Sequence, residues 1–311
     1  MTNVRCRKPL FDISSKAALS SLLGFPAGEI DYVVFHIERF YVREELPKAS
    51  GGTRLLLKPR GRLKEIQAEI KKAILDKVPP LPFVHGGVRG RSVMTNAAPH
   101  VRKEVVLAAD IKDCFPSISP RKVLDAFIEL GISGEAARIL TELTTVDSQL
   151  PQGTKTSPAL ANLVLRSIDR RLSALASQHG GSYKRFVDDV QISGPKRLAK
   201  LRGLVRKIFA SEGFKLKPKK EVMLQSEPQV VTKLLVNQRV NVTKDRRAAI
   251  RKEVFSSRDE GQLQVSPSTI GKVRWLASVN PEVGSRLISR IPPAKSAGPG
   301  DSAMPSAGEG A

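Results

Sequence analysis

Three aspartates occupy positions from which their carboxylates could act together. Asp110 ends an apolar segment, EVVLAAD, that predicts a buried strand over residues 104–110. Asp188 and Asp189 lie near the turn of a predicted β-hairpin over residues 182–193. In an antiparallel sheet the end of the first strand can lie beside that turn, so the carboxylates would converge. Each acid taken alone is more readily a turn residue or a helix cap.

Carboxylates that converge repel one another, and a divalent cation between them removes the repulsion. Oxygen ligands favour Mg²⁺, with Mn²⁺ as a substitute, over zinc. Two such ions can activate an attacking hydroxyl and stabilise the leaving group in phosphoryl transfer. The aspartates therefore predict a two-ion phosphoryl-transfer site.

The charge of the chain points to a polyanionic partner. The 311 residues include 52 Lys and Arg against 30 Asp and Glu, a formal net charge of +22. This excess makes an ordinary metabolic enzyme an unfavoured interpretation and favours nucleic acid or an anionic membrane surface. The sequence shows no signal peptide and no apolar run long enough for a membrane span, so we expect a cytoplasmic protein without membrane contact. Cys6 and Cys114 cannot build a disulfide framework or a zinc site, which indicates a reducing compartment.

The elements that must position the aspartates form an α+β pattern, with an antiparallel sheet backed by helices. Apolar spacing predicts helices, and β-rich segments predict a short strand pair within residues 232–242. The predicted helices cover residues 63–75, 119–131, 133–144, 157–172 and 198–208, and further basic helices reach residue 291. Residues 292–311, rich in Pro, Gly, Ser and Ala, predict a disordered tail.

In order along the chain, four segments resemble the palm motifs of reverse transcriptases. They are DIKDCFPSI (110–118), LPQG (150–153) followed by TSP and LANL (156–163), FVDD (186–189), and Gly213-Phe214 with Lys219-Lys220. The resemblance covers about residues 30–290. It implies a right-hand polymerase with an N-terminal segment and fingers (1–103), a palm (104–240, with fingers-like helices over 119–149) and a short helical thumb (241–291).

Two further segments resemble elements of bacterial retron-type reverse transcriptases. Asn96-Ala97-Ala98-Pro99-His100 resembles their Asn-Ala-x-x-His element, and Val231-Thr232-Lys233 resembles their Val-Thr-Gly element, with Lys233 where the family usually has glycine. The retron resemblance implies copying of a structured non-coding RNA into DNA and a branched RNA–DNA product (msDNA). It also implies an effector protein in antiviral defence, and a host RNase H that removes the copied RNA.

The resemblance implies a role for each motif residue. Asp110, Asp188 and Asp189, with the backbone carbonyl of Ile111, would hold two Mg²⁺ ions, and Lys220 would protonate the departing pyrophosphate. The expected deoxynucleotide contacts are Arg54 and Lys58 on a fingers hairpin, Phe115 as a steric gate against the 2′-hydroxyl, and Gln152 and Gly153. The expected contacts to RNA or the RNA–DNA duplex are Arg89, Arg91, Asn96, His100, Thr232, Lys233 and Trp275. Core packing, turns and solvated faces are the plainer interpretations of the same residues.

Alternative functions stay open at this point. One is a reverse transcriptase of another bacterial group, such as the abortive-infection or diversity-generating types. Another is a non-catalytic RNA-binding or splicing helper with a polymerase fold, and a third is an RNA-copying RNA polymerase. The intact set of three aspartates weighs against the helper.

Overall fold

The computed structural model describes residues 10–47, 51–132, 134–218, 222–259 and 265–291. The chain divides into two compact units, Met1–Val240 and Asn241–Ala311. The predicted disordered tail and Lys220 lie outside the described residues. Within the described part of the chain, no helix combines the length and apolarity that crossing a bilayer requires.

The first unit contains nine α-helices and eight strands among the residues described. The helices are α1 (Lys16–Leu23), α2 (Ala27–Phe35), α3 (Gly61–Ala73), α4 (Val93–Ala97), α5 (Pro120–Glu129), α6 (Gly134–Thr144), α7 (Ser157–Val164), α8 (Arg166–Gln178) and α9 (Arg202–Ser211). The strands are β1 (Tyr41–Pro47), β2 (Thr53–Pro59), β3 (Val105–Asp110), β4 (Ser182–Phe186), β5 (Asp189–Gly194), β6 (Val222–Leu224), β7 (Val230–Val231) and β8 (Leu234–Leu235). Short 3-10 helices cover Ile37–Phe40, Leu75–Lys77, Ala98–His100 and Lys196–Leu201.

A four-stranded antiparallel sheet, in the order β4-β5-β3-β6, forms the centre of this unit. Its strand β3 is apolar and almost wholly buried, as the segment EVVLAAD predicts. The β3–β5 register runs from Val105 opposite Gly194 to Asp110 opposite Asp189. The predicted antiparallel sheet accompanied by helices is therefore confirmed, whereas the division into fingers, palm and thumb stays a prediction.

The helices bury the apolar faces that their spacing predicts. Leu63, Ile66 and Ile70 of α3 are fully buried in the core, and Val123 and Phe127 of α5 join the same core. Helix α5 begins at Pro120, whose fixed φ suits the first helical position. These helices therefore pack into the core through the apolar faces predicted from the sequence.

Two sequence expectations differ from the structure. The single helix predicted over residues 157–172 is two helices, α7 and α8, which meet at the buried Leu165 with ψ near 2°. No glycine or proline marks that break, so the apolar spacing alone could not show it. Strand pairing also begins before the strand pair predicted within residues 232–242, because β7 pairs with β8 across a turn at Thr232 and Lys233.

The second unit contains the two-residue strand β9 (Asn241–Val242) and the helices α10 (Lys244–Asp259), α11 (Pro267–Val279) and α12 (Pro281–Ile288). Its buried apolar side chains include Ile250, Val254, Val273, Leu276 and Leu287. The side chain of Asn280 caps α12 by accepting a hydrogen bond from the backbone N–H of Val283 at 3.1 Å. The described part of this unit is therefore a small helical body, as the sequence predicts for the region up to residue 291.

Candidate active site

The three aspartates lie at one end of two adjacent strands. Asp110 is the last residue of β3 and stands directly opposite Asp189, the first residue of β5. Directly opposed residues of an antiparallel pair project to the same face of the sheet. Asp188 lies in the two-residue turn between β4 and β5, and its carbonyl accepts a hydrogen bond from the backbone N–H of Ile111 at 2.9 Å. Asp110 is therefore a neighbour of Asp188 and Asp189 in the sheet, although it is far from them in sequence.

The electrostatics of Asp189 show how crowded this strand end is. Burial, followed by the negative charge of Asp188, raises the pKa of Asp189 to about 7. Polar groups of Gln191 and Thr232 and the charge of Lys217 oppose that shift. A hard divalent cation would favour the charged form of the Asp189 carboxylate, because it would offset the repulsion between Asp188 and Asp189. Among the residues described, however, no three His, Cys, Asp or Glu side chains are close enough to form an ion site.

A segment from the fourth motif joins the end of β3. The N–H of Lys112 donates to the carbonyl of Lys215 at 2.7 Å, and the N–H of Lys217 donates to the carbonyl of Asp110 at 2.8 Å. These bonds carry the Lys217 ammonium close enough to affect Asp189. The sequence signal for a lysine near Asp189 is the cluster of lysines after Gly213-Phe214. The resemblance to reverse transcriptases singles out Lys220 of that cluster, whereas the structure brings Lys217 near Asp189.

Asn96 and His100 lie in the interior of the first unit. Both side chains are fully buried. The Asn96 amide Nδ2 donates to Gln191 Oε1 at 2.9 Å, and His100 Nδ1 lies 2.6 Å from Ser193 Oγ. In this structure neither side chain is exposed to a nucleic acid, and both bond to residues of β5, so RNA binding by these two residues stays a prediction.

Gln191 and Ser193 are residues that the motif comparison missed. They follow Asp189 at every second position of β5, so all three lie on one face of the strand. Both are fully buried and hold Asn96 and His100 on that face. The available signal was the alternation of polar and apolar residues in the sequence DVQIS.

Thr232 and Lys233 form the turn that closes the β7–β8 pair. Their φ angles are +46° and +66°, the left-handed conformation that a two-residue hairpin turn requires at both positions. Thr232 is buried, and its Oγ1 donates to the carbonyl of Val93 at 3.3 Å, whereas Lys233 is exposed. Lys233 is therefore available to a nucleic acid, and Thr232 is placed between α4 and Asp189.

The residues predicted to contact the nucleotide gather around strand β2. The N–H of Leu57 donates to the carbonyl of Gln152 at 2.7 Å, and Gly153, with φ +109°, packs against the backbone of Leu57. Arg54 is exposed on the same strand, and Lys58 forms a partly exposed ion pair with Glu44 across the hairpin. The hairpin and the second motif are thus joined directly.

Phe115 is half-buried and packs against the core in the segment that follows Asp110. The structure thus supports core packing for part of the ring and leaves the remainder exposed. Position 115 is five residues beyond the end of β3, close in sequence to the candidate site.

The two arginines of the Gly-rich loop differ in their surroundings. Arg89 is exposed. Arg91 is half-buried, and its Nη1 donates to the carbonyl of Leu81 at 2.6 Å and to that of Val84. Arg91 therefore stabilises the loop, and Arg89 is the one whose side chain is open to a phosphate backbone.

In the second unit, Trp275 is half-buried on α11. The Arg246 guanidinium lies over its ring, 4.8 Å from the ring centroid. This cation–π contact joins α10 to α11. Packing thus accounts for part of the Trp275 surface.

Comparison with known proteins identifies the family. The profile described as "Reverse transcriptase (RNA-dependent DNA polymerase)" matches residues 46–241. The Retron Mx65 reverse transcriptase of Myxococcus xanthus is 33% identical over 301 residues, covering 88% of this chain and 70% of the relative. The Retron Ec86 reverse transcriptase of Escherichia coli is 32% identical over 242 residues, covering 76% and 75%. The Retron Mx162 reverse transcriptase of Myxococcus xanthus is 31% identical over 263 residues, covering 73% of this chain but 54% of the relative.

The profile match covers more than half of the chain, so the chain belongs to the reverse transcriptase family of polymerases. The register of the central sheet agrees with this, because it pairs two of the motif aspartates. Within that family it is a bacterial retron-type reverse transcriptase. Its activity is RNA-directed DNA synthesis, as the motif resemblance predicts. Both the predicted family and the predicted enzyme class are confirmed.

Proposed function

We propose that Asp110, Asp188 and Asp189 form the catalytic centre of this reverse transcriptase. The observation that supports it is the register of the sheet, which sets Asp110 opposite Asp189 with Asp188 in the adjoining turn. Together with the backbone carbonyl of Ile111, these residues would hold two Mg²⁺ ions. When bound, such ions help to activate the primer hydroxyl and to stabilise the leaving pyrophosphate.

Other residues of the chain would bind and orient the substrates. Arg54 and Lys58 would bind the triphosphate, since a guanidinium fork and a lysine ammonium both suit phosphate oxygens. Gln152 and Gly153 would lie beneath the template and the nucleotide. The exposed part of Phe115 would press against the sugar and exclude a 2′-hydroxyl, so the enzyme would select deoxynucleotides. By family resemblance, Lys220 would protonate the pyrophosphate.

The proposed biological role is that of a cytoplasmic retron enzyme. Its template and primer would be a structured non-coding RNA, and its product a branched RNA–DNA molecule made in antiviral defence with an effector protein. A host RNase H would remove the copied RNA. The similarity to several retron reverse transcriptases supports this proposal. Exposed cations such as Arg89 and Lys233 would contribute to binding of the RNA or the RNA–DNA duplex. In this proposal residues 1–103 contain the fingers, 104–240 the palm and 241–291 the thumb.

The decisive experiment compares two Asp→Asn variants in primer extension on an RNA template with deoxynucleotides and Mg²⁺. Asp188→Asn should abolish synthesis and preserve RNA binding, because it removes a carboxylate charge at nearly constant shape. Asp125→Asn is the matched control, since Asp125 is a partly exposed residue of α5 paired with Arg121. Full synthesis by Asp188→Asn would refute the proposed centre.

A separate measurement addresses the retron role. The nucleic acid that copurifies with the protein from its bacterial host should contain one defined DNA joined to RNA at a branch. Unbranched or heterogeneous DNA would favour another bacterial group and would leave the catalytic assignment untouched.

A further inference from the structure

A buried ion pair lies directly behind the turn that carries Asp188. Arg185 of β4 and Asp169 of α8 have side chains that are 1% and 0% exposed. The Arg185 guanidinium donates two parallel hydrogen bonds to the Asp169 carboxylate, from Nε to Oδ1 and from Nη2 to Oδ2, both 2.7 Å long. The hydroxyl of Tyr183 donates to the same Oδ1 at 2.6 Å. Such a bidentate pair fixes the orientation of the guanidinium plane.

The remaining arm of the guanidinium reaches the turn itself. Arg185 Nη1 donates to the backbone carbonyl of Val187 at 2.7 Å. Val187 has a φ of +58°, in the left-handed region that β-branched residues strongly disfavour. The arginine therefore stabilises an unfavourable backbone conformation in the residue immediately before Asp188.

The opposite side of the turn is held by the loop that contains Gly86. The N–H of Arg185 donates to the carbonyl of Phe83 at 3.0 Å, and the N–H of His85 donates to the carbonyl of Arg185 at 2.8 Å. These bonds bring Gly86 so close that a β-carbon on it would lie 2.2 Å from the backbone nitrogen of Val187. The turn is thus enclosed between this loop and the ion pair.

We propose that Arg185, oriented by Asp169, is a positioning residue that holds the Val187 turn in its left-handed conformation and so places Asp188 and Asp189 for catalysis. This inference rests on the proposed catalytic centre. The alternative is that the ion pair only fastens β4 to α8, as buried pairs elsewhere do. The hydrogen bond from Arg185 to the Val187 carbonyl favours the positioning role, because an ion pair that only attached β4 to α8 would not need this bond.

The test is Arg185→Lys, alone and combined with Val187→Gly. Lysine keeps the positive charge beside Asp169, but its single ammonium cannot reproduce the planar fork that also reaches the turn. We expect kcat in primer extension to fall by about 10- to 100-fold, the effect of a displacement near 1 Å, with KM for the template changed less than about twofold. Glycine adopts positive φ without steric penalty, so adding Val187→Gly should recover much of the lost kcat.

Gln67→Leu supplies the matched control. Gln67 is a buried residue of α3 whose amide donates to the Tyr41 hydroxyl and to the Leu143 carbonyl, so its replacement also breaks interior hydrogen bonds. Thermal unfolding of every variant is measured beside its kinetics. We expect Gln67→Leu to lower the melting temperature and to leave kcat near the wild-type value.

The outcomes separate this inference from the proposed centre. If Asp188→Asn retains synthesis, the catalytic centre itself is wrong. If Asp188→Asn is inactive while Arg185→Lys keeps the wild-type kcat, only the positioning role is refuted. It is equally refuted if Val187→Gly fails to recover kcat, or if neither Arg185→Lys nor the double variant folds, because the pair would then serve the interior alone.

Discussion

Replacement of Gly86 by alanine is a direct test of how tightly the aspartate turn is held. A β-carbon at residue 86 would lie 2.2 Å from the backbone nitrogen of Val187, 2.5 Å from its Cγ2 and 2.9 Å from the carbonyl carbon of Phe186. Non-bonded carbon atoms are most stable at separations of roughly 3.5–4.0 Å. The two backbones must therefore move apart by about 1 Å, and flexible side-chain ends cannot absorb the shift.

The magnitude follows from that displacement. Overpacking of a well-packed interior costs about 1–3 kcal/mol. For a unit of this size, each kcal/mol lowers the melting temperature by roughly 2–4 °C. Because Asp188 and Asp189 follow Val187 directly, a shift near 1 Å should also lower kcat by about 100-fold.

The assay is primer extension on an RNA template together with thermal unfolding. Gly203→Ala on α9 is the control, because a β-carbon there has nothing within 4 Å. Gly203 is the second residue of α9, and the added methyl group meets no neighbour there, so kcat and the melting temperature should both stay near the wild-type values. If Gly86→Ala matched the wild type in both kcat and melting temperature, the turn would not be held against the loop as described.

Two further predictions concern stability. Lys233→Gly should raise the free energy of unfolding by about 0.5–1 kcal/mol in urea titration, because φ is +66° at residue 233 and glycine adopts this conformation without a β-carbon; a lower value would show that the lysine side chain makes a stabilising contact. Burial first, then the charges of Lys184 and Lys103 and of His85, lower the pKa of His100 to about 3. The unfolded chain therefore binds a proton near pH 6.5 that the folded chain does not, and stability falls as the pH drops from about 6.5 towards 3. Between pH 7 and pH 5 this histidine should account for roughly 2 kcal/mol of the lost stability, a loss that should be absent in His100→Gln; the same pH dependence in both proteins would contradict the assignment.

The sequence was most informative where one physical pattern dominates. Strand β3 is a continuous apolar run that ends in Asp110, and α3 places apolar residues at helical spacing, so both elements were predicted near their observed bounds. The aspartate turn was also predictable, because two β-rich arms flank it. These features depend on neighbouring residues alone.

The errors arise where tertiary contacts decide. Thr232 and Lys233 carry none of the residue types that usually mark a left-handed turn, so the sequence did not predict the β7–β8 pair. Asn96 and His100 belong to the segment that resembles the Asn-Ala-x-x-His element of retron-type enzymes, which made RNA binding a reasonable expectation. Only their burial against β5 shows that they bond to Gln191 and Ser193 instead. The spacing of residues in the sequence does not distinguish a polar side chain that binds RNA from one that forms buried hydrogen bonds.

The alternation along β5 explains why the register at the aspartates is well specified. Val190 and Ile192 belong to the apolar core, whereas Gln191 and Ser193 on the other face are bonded to Asn96 and His100. A slip of one residue would exchange these faces, leaving two polar side chains without partners in the core and two apolar side chains against polar ones. The same slip would remove Asp189 from its position opposite Asp110. The bonds from Asn96 and His100 therefore favour the register that pairs Asp110 with Asp189.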